Sequence, residues 1–134
     1  MRKLPLILAG LALLAGIQPL LAQETRTYTD DAGRTVDVPA APQRIVTLHD
    51  SSLTVPLVEL GILPVGAFGR GGDAGPYMRG AATLTGVTFE NSGIANVGGS
   101  PADLEAIAAL EPDLIITAAF QQTPLEGLEK IAPT

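Results

Sequence analysis

Arg70, Tyr77 and Arg79 fall in one glycine-rich segment, residues 69–96, where few apolar residues follow one another. Two guanidinium groups around a phenol in one irregular segment are candidate ligand contacts, because arginine offers a fork of donors and tyrosine an aromatic face with a hydroxyl. Solvated loop charges, with Tyr77 as a packing anchor, are the alternative reading of the same residues. A second polar group, His49-Asp50-Ser51-Ser52, stands directly after a short apolar run. There His49 and Ser51 are candidate ligand contacts, while the plainer reading makes His49 a polar end to a strand and Ser51 and Ser52 helix caps. Neither serine lies in the G-x-S-x-G turn that exposes a hydrolase nucleophile, so catalysis by a Ser–His pair is not expected. No site residue is assigned a catalytic role.

Composition removes other chemistry. The 134 residues contain no cysteine and a single histidine, which excludes a disulfide scaffold, a thiolate zinc shell and a cysteine nucleophile. The acids lack the spacing of a calcium loop, and no G-K-S/T follows the glycines, so neither a metal site nor a phosphate loop is expected. Eight basic residues face 14 acidic ones for a net charge of −6. Nucleic acid is therefore not an expected partner.

Residues 1–22 begin Met1-Arg2-Lys3, continue as an apolar run, and end Gln18-Pro19-Leu20-Leu21-Ala22. A cationic start, an apolar centre and a small final residue read as a signal peptide cleaved near Ala22. Proline and glycine interrupt the run before it reaches membrane-spanning length. The expected product is residues 23–134, exported to a bacterial periplasm, with six basic against 14 acidic residues.

The chemistry must be positioned by short elements. Residues 25–38 alternate around Asp31-Ala32-Gly33-Arg34, which predicts a β-hairpin. Pro39 and Pro42 follow as an extended connector. Arg44-Ile45-Val46-Thr47-Leu48 is too short for a helix period and reads as a buried parallel strand. Leu53, Leu57 and Leu60 before Gly61 predict a helix, with Pro56 acceptable only in its first turn. Residues 62–68 predict a second strand, and residues 69–96 a long irregular loop or loops. Ser100, Pro101 and Asp103 form a helix start with Ser100 as cap, its apolar stripe being Leu104, Ile107 and Ala108. Residues 113–118 predict a buried strand. A last helix starts with Thr123 as cap and Glu126 closing a capping box, faced by Leu125, Leu128 and Ile131, with a Glu126–Lys130 pair on its exposed side.

This β, α, β, loop, α, β, α order is the beginning of a right-handed α/β sheet. Three parallel strands are expected, with at least one edge bare. Ligands of such sheets sit beyond the carboxyl ends of the strands, which would bring residues 49–52, 70–79, 98–100 and 120–122 to one rim.

Four stretches make the order recognisable: Asp31-Ala32-Gly33-Arg34-Thr35-Val36-Asp37-Val38-Pro39 with Pro42-Gln43-Arg44-Ile45-Val46; Leu60-Gly61-Ile62-Leu63-Pro64-Val65-Gly66; the run from Asp103-Leu104-Glu105 through Glu111-Pro112-Asp113 to Ile116-Thr117; and Leu128-Glu129-Lys130-Ile131-Ala132-Pro133-Thr134. In this order they resemble the solute-binding proteins of iron-siderophore ABC importers. The resemblance implies the N-terminal, Rossmann-like lobe of a two-lobed α/β periplasmic binding protein that opens with a β-hairpin, with the second lobe absent. It implies a monomer that is not an enzyme, delivers a ferric siderophore to an inner-membrane ABC permease, and uses no cofactor. Haem or cobalamin binding on the same fold is the alternative within the family, and an unrelated exported α/β hydrolase the alternative outside it.

The resemblance also implies that Glu105 is the acid that docks on the permease. Ferric-hydroxamate binders of this family carry an arginine just before the corresponding helix and a tyrosine after the following strand. Here Gly99-Ser100 and Phe120-Gln121 stand at those places, so Arg70 and Arg79 are expected to act as the cationic contacts, with Gln121 beside them. With one wall of the cleft and an open sheet edge, the chain is expected to bind weakly or to fold poorly.

Overall fold

The computed structural model describes residues 23–134. The expected signal peptide lies outside the described residues. β1 (Thr25–Thr29) and β2 (Thr35–Pro39) pair antiparallel, from Thr25 opposite Pro39 to Thr29 opposite Thr35. Gly33 supplies the turn with a φ of +79°, a conformation costly for a side chain with a Cβ. The hairpin is as expected from the alternation.

A separate four-stranded sheet has the order β5-β4-β3-β6, from β3 (Ile45–Thr47), β4 (Gly66–Ala67), β5 (Ala95–Asn96) and β6 (Leu114–Ile116). All its pairings are parallel. The fourth strand is β5, which lies inside the segment expected to be a loop. A strand of two residues is too short to show a period of two, and only pairing with β4 reveals it. Along the outer edge of β6 the Ile115 amide donates to the Pro133 carbonyl at 2.9 Å, so the chain's own last residues reach that edge.

Successive residues of a strand point to opposite faces, and β4 shows the consequence. A Cβ on Gly66 would meet Leu110 at 2.5 Å and Val97 at 2.9 Å, within the cluster of Val46, Leu48, Val97, Ile107, Ile115 and Leu128. Ala67 instead packs with Val55, Met78, Ala81 and Ile94. The first cluster is covered by α4 (Leu104–Ala109) and α5 (Leu125–Glu129), the second by α1 (Val55–Glu59) and α2 (Ala81–Thr85). The two faces therefore have separate cores, and each fully buried aliphatic side chain contributes about 1.5–3 kcal/mol.

Several local expectations are corrected. The segment 69–96 is not one irregular loop, since it also holds α2 and α3 (Phe89–Ser92). In α3, Thr88 and Asn91 form a capping box. The strand expected over residues 62–68 contracts to two residues. The cap of α4 is Asp103, whose Oδ1 accepts from the amides of Glu105 (2.9 Å) and Ala106 (3.1 Å), while Ser100 Oγ accepts from the Gln122 amide. Thr123 does not cap α5. Its buried hydroxyl oxygen accepts from the Ala102 amide at 2.8 Å, and Pro124 takes the cap position with no side-chain bond. Ala108 is exposed, and Leu110 packs on the core in its place. Pro56 does lie in the first turn of α1, and Lys130 pairs with Glu126 at 2.8 Å.

Candidate functional site

At the carboxyl end of β3 the chain makes a π-helical turn, Asp50–Thr54, before α1. Its cap is His49: Nδ1 accepts from the Ser52 amide at 3.2 Å. Ser51 and Ser52 are therefore not caps, because the ring of His49, just before the turn, takes the free Ser52 amide. Nδ1, occupied as an acceptor, leaves Nε2 as the N–H of the neutral ring. That ring stacks on Phe68 with centroids 5.8 Å apart and forms a T-shaped pair with Phe120 at 5.0 Å.

Asp50 organises what lies around it. Its side chain is completely buried, yet it receives four hydrogen bonds. Oδ2 accepts from Arg70 Nε at 2.6 Å and from the Arg79 amide at 2.9 Å. Oδ1 accepts from the Ser51 amide at 2.8 Å and from Arg70 Nη2 at 3.3 Å. Burial alone would raise the Asp50 carboxyl, but the Arg70 side chain, the Arg79 and Ser51 amides and the charge on Arg70 hold it below the ordinary carboxylate range. The same pairing raises Arg70 further above its usual value.

Arg70 leaves β4 after Phe68, and its guanidinium lies 5.3 Å from the centre of the Phe68 ring, within cation–π range. Its backbone exchanges hydrogen bonds with Tyr77 at 2.8 and 2.9 Å, which folds the glycine-rich segment back on itself. Tyr77 is 48% exposed. Arg79 is exposed, and its Nη2 donates to Ser51 Oγ at 3.2 Å. Among the described residues its guanidinium has no carboxylate partner. Gln121 donates from Nε2 to the Leu48 carbonyl, tying the loop after β6 to the end of β3.

The structure thus brings His49, Ser51, Arg70, Tyr77, Arg79 and Gln121 to the carboxyl ends of the strands. Glu105 stands apart from this network, exposed in the first turn of α4. Beside Arg70 opens a cleft of about 410 Å³, lined also by Pro76, Asn96 and glycines of the loops after β4 and β5. A Cβ on Gly69 would lie 2.2 Å from Asn96 Oδ1, so a side chain there would displace that of Asn96. No group of three or more His, Asp or Glu side chains able to hold a metal ion occurs among the described residues.

Sequence reasoning did not single out Asp50 or Phe68. For Asp50 a usable indication existed: an acid directly after a buried strand, in a chain with two arginines in one glycine-rich segment. Phe68 carried none, because an aromatic residue ending a strand is ordinary core material.

No protein-family model matches the chain. Among curated proteins it is 36% identical over 115 residues to the probable siderophore-binding lipoprotein YfiY of Bacillus subtilis, covering 84% of this chain and 33% of that one. It is 34% identical over 111 residues to the iron(3+)-hydroxamate-binding protein FhuD of the same organism, covering 83% and 31%. Among solved structures, Staphylococcus aureus SirA complexed with staphyloferrin B superposes with a TM-score of 0.64 at 29% identity, covering 82% of this chain and 35% of SirA. The chain spans about a third of the length of the curated relatives it matches.

Proposed function

Over the four fifths of its length that these comparisons cover, the chain has the sequence and fold of a siderophore-binding solute-binding protein, and from that premise we propose that it forms one wall of a cleft that binds a ferric siderophore for an ABC importer. The observation that carries the reading is the rim itself. An exposed guanidinium on Arg79, the Arg70 fork, the His49 ring and Phe120 lie at the carboxyl ends of a parallel sheet, with Tyr77 paired to Arg70 through its backbone. A siderophore already supplies the oxygen ligands of its iron, so the protein has only to offer cationic donors and aromatic surface, and the iron is cargo.

The reading extends to a non-enzymatic protein exported to the periplasm, with residues 1–22 as a signal peptide and residues 23–134 as one lobe. Glu105 is proposed to dock on an arginine of the permease, since an exposed carboxylate in the first turn of a helix suits electrostatic steering to a basic partner.

Titration with ferric citrate and with a ferric trihydroxamate tests the function. Binding at the rim should quench tyrosine fluorescence, because Tyr77 lies within the glycine-rich segment. Haem would instead bring a Soret band, and a hydrolase would turn over a generic ester. Absence of quenching by every ferric chelate, with either of those results in its place, would overturn the reading.

A further inference from the structure

Asp50 is the only charged side chain among the fully buried residues described, and nothing about iron coordination requires it. Its four hydrogen bonds come from three places: the turn after β3 through Ser51, the start of the glycine-rich segment through Arg70, and a point nine residues further along that segment through Arg79. Between the last two, the Arg70–Tyr77 pairing and the turn in which Gly75 donates to the Gly72 carbonyl complete a closed strap. One carboxylate therefore holds both ends of the strap against the sheet.

We propose that Asp50 is the positioning residue of this rim and also sets its charge, so that this wall selects ferric chelates of low net negative charge over multiply anionic ones. The inference rests on the ferric-chelate reading and refines its substrate class. Arg70 is paired with Asp50 through two nitrogens, so its charge is cancelled locally and the pair offers the ligand hydrogen-bond donors with little field. Arg79 is left as the uncompensated cation. The other charged groups close in sequence to the rim are acids: Asp73 on the strap, and Asp103 and Glu105 at the start of α4, all exposed. With six basic against 14 acidic residues beyond position 22, the chain has little positive field to add. A chelate bearing several negative charges would meet repulsion at long range and one guanidinium at contact.

The test uses gallium(III) chelates as diamagnetic stand-ins, titrated into the isotope-labelled chain and followed by amide chemical shifts, which also report folding and resolve weak binding. The probes are a neutral trihydroxamate complex and the anionic citrate complex. Asp50→Asn, which keeps the size of the side chain and removes its charge, should shift the affinity ratio toward the citrate complex by about tenfold. Arg70→Gln changes the rim charge the other way and should shift the ratio toward the neutral complex. A purely structural role would weaken both ligands together and leave the ratio where it was. An unchanged ratio in either variant that retains the native amide pattern overturns the inference while leaving ferric-chelate binding intact. If the unaltered chain responds to neither complex, both this inference and the function it rests on fall.

Discussion

At the residue scale, the decisive group is one carboxylate in the wrong solvent for a charge. Burying Asp50 is tolerated because four donors surround it, and removing it strands those donors rather than merely deleting a contact. Asp50→Ala should therefore cost about 3 kcal/mol in chemical denaturation, the lower end of the range for a broken buried pair, since Arg70 is 30% exposed and water can reach it. The pH dependence has a definite sign. The folded value lies below the unfolded one of about 3.9, so this stabilisation is complete above that pH and is lost as pH falls through the folded value. The stability gap between the unaltered chain and Asp50→Asn should close in that acid range; a gap persisting below it would contradict the assignment. Arg70 and Arg79 were legible as site residues from their type and segment. Their inequality was not, because it depends on an acid 20 residues before one of them and 29 before the other.

At the element scale, the competition for helix caps shows what a local reading misses. Ser100 and Thr123 both had the sequence of a cap, yet Thr123 bonds the Ala102 amide across 21 residues and Ser100 bonds Gln122 across 22. Each hydroxyl went to a neighbouring segment, and Asp103 was left to accept two amides at the start of α4. Asp103→Ala should destabilise by about 1 kcal/mol, the usual loss for an N-cap acid. Ser100→Ala should cost less, having no helix amide to release, and thermal denaturation of the two variants ranks them. The opposite ranking would restore Ser100 as the cap. By contrast the hairpin turn at Gly33, the end of α1 at Gly61 and the Glu126–Lys130 pair were all legible, because each is decided within about one turn of backbone.

At the scale of the whole molecule, a separate hairpin is joined to the other end of the chain by Arg34. Its Nε donates to Asp30 at 2.7 Å, Nη1 to Glu129, and Nη2 to the Thr134 carbonyl at 3.2 Å. Arg34→Ala should therefore leave the parallel sheet protected but speed amide exchange in β1 and β2, with a global loss within about 1 kcal/mol as expected for partly exposed ion pairs. Unchanged exchange in the hairpin would show that its anchoring lies elsewhere, in buried Val38 and Pro39. The amino-acid sequence by itself determined the α/β class, the hairpin, three of the four parallel strands, the glycine-rich segment and the likeness to siderophore-binding proteins, because alternation, helical period and turn residues act over a few neighbours. Only the tertiary structure decided that Asp50 holds both arginines, that His49 caps the turn and packs between Phe68 and Phe120, and that residues 95–96 complete the sheet. Those outcomes are choices among partners far apart in the chain, made when burial leaves a donor or acceptor no water and the nearest group in space, not in sequence, must satisfy it.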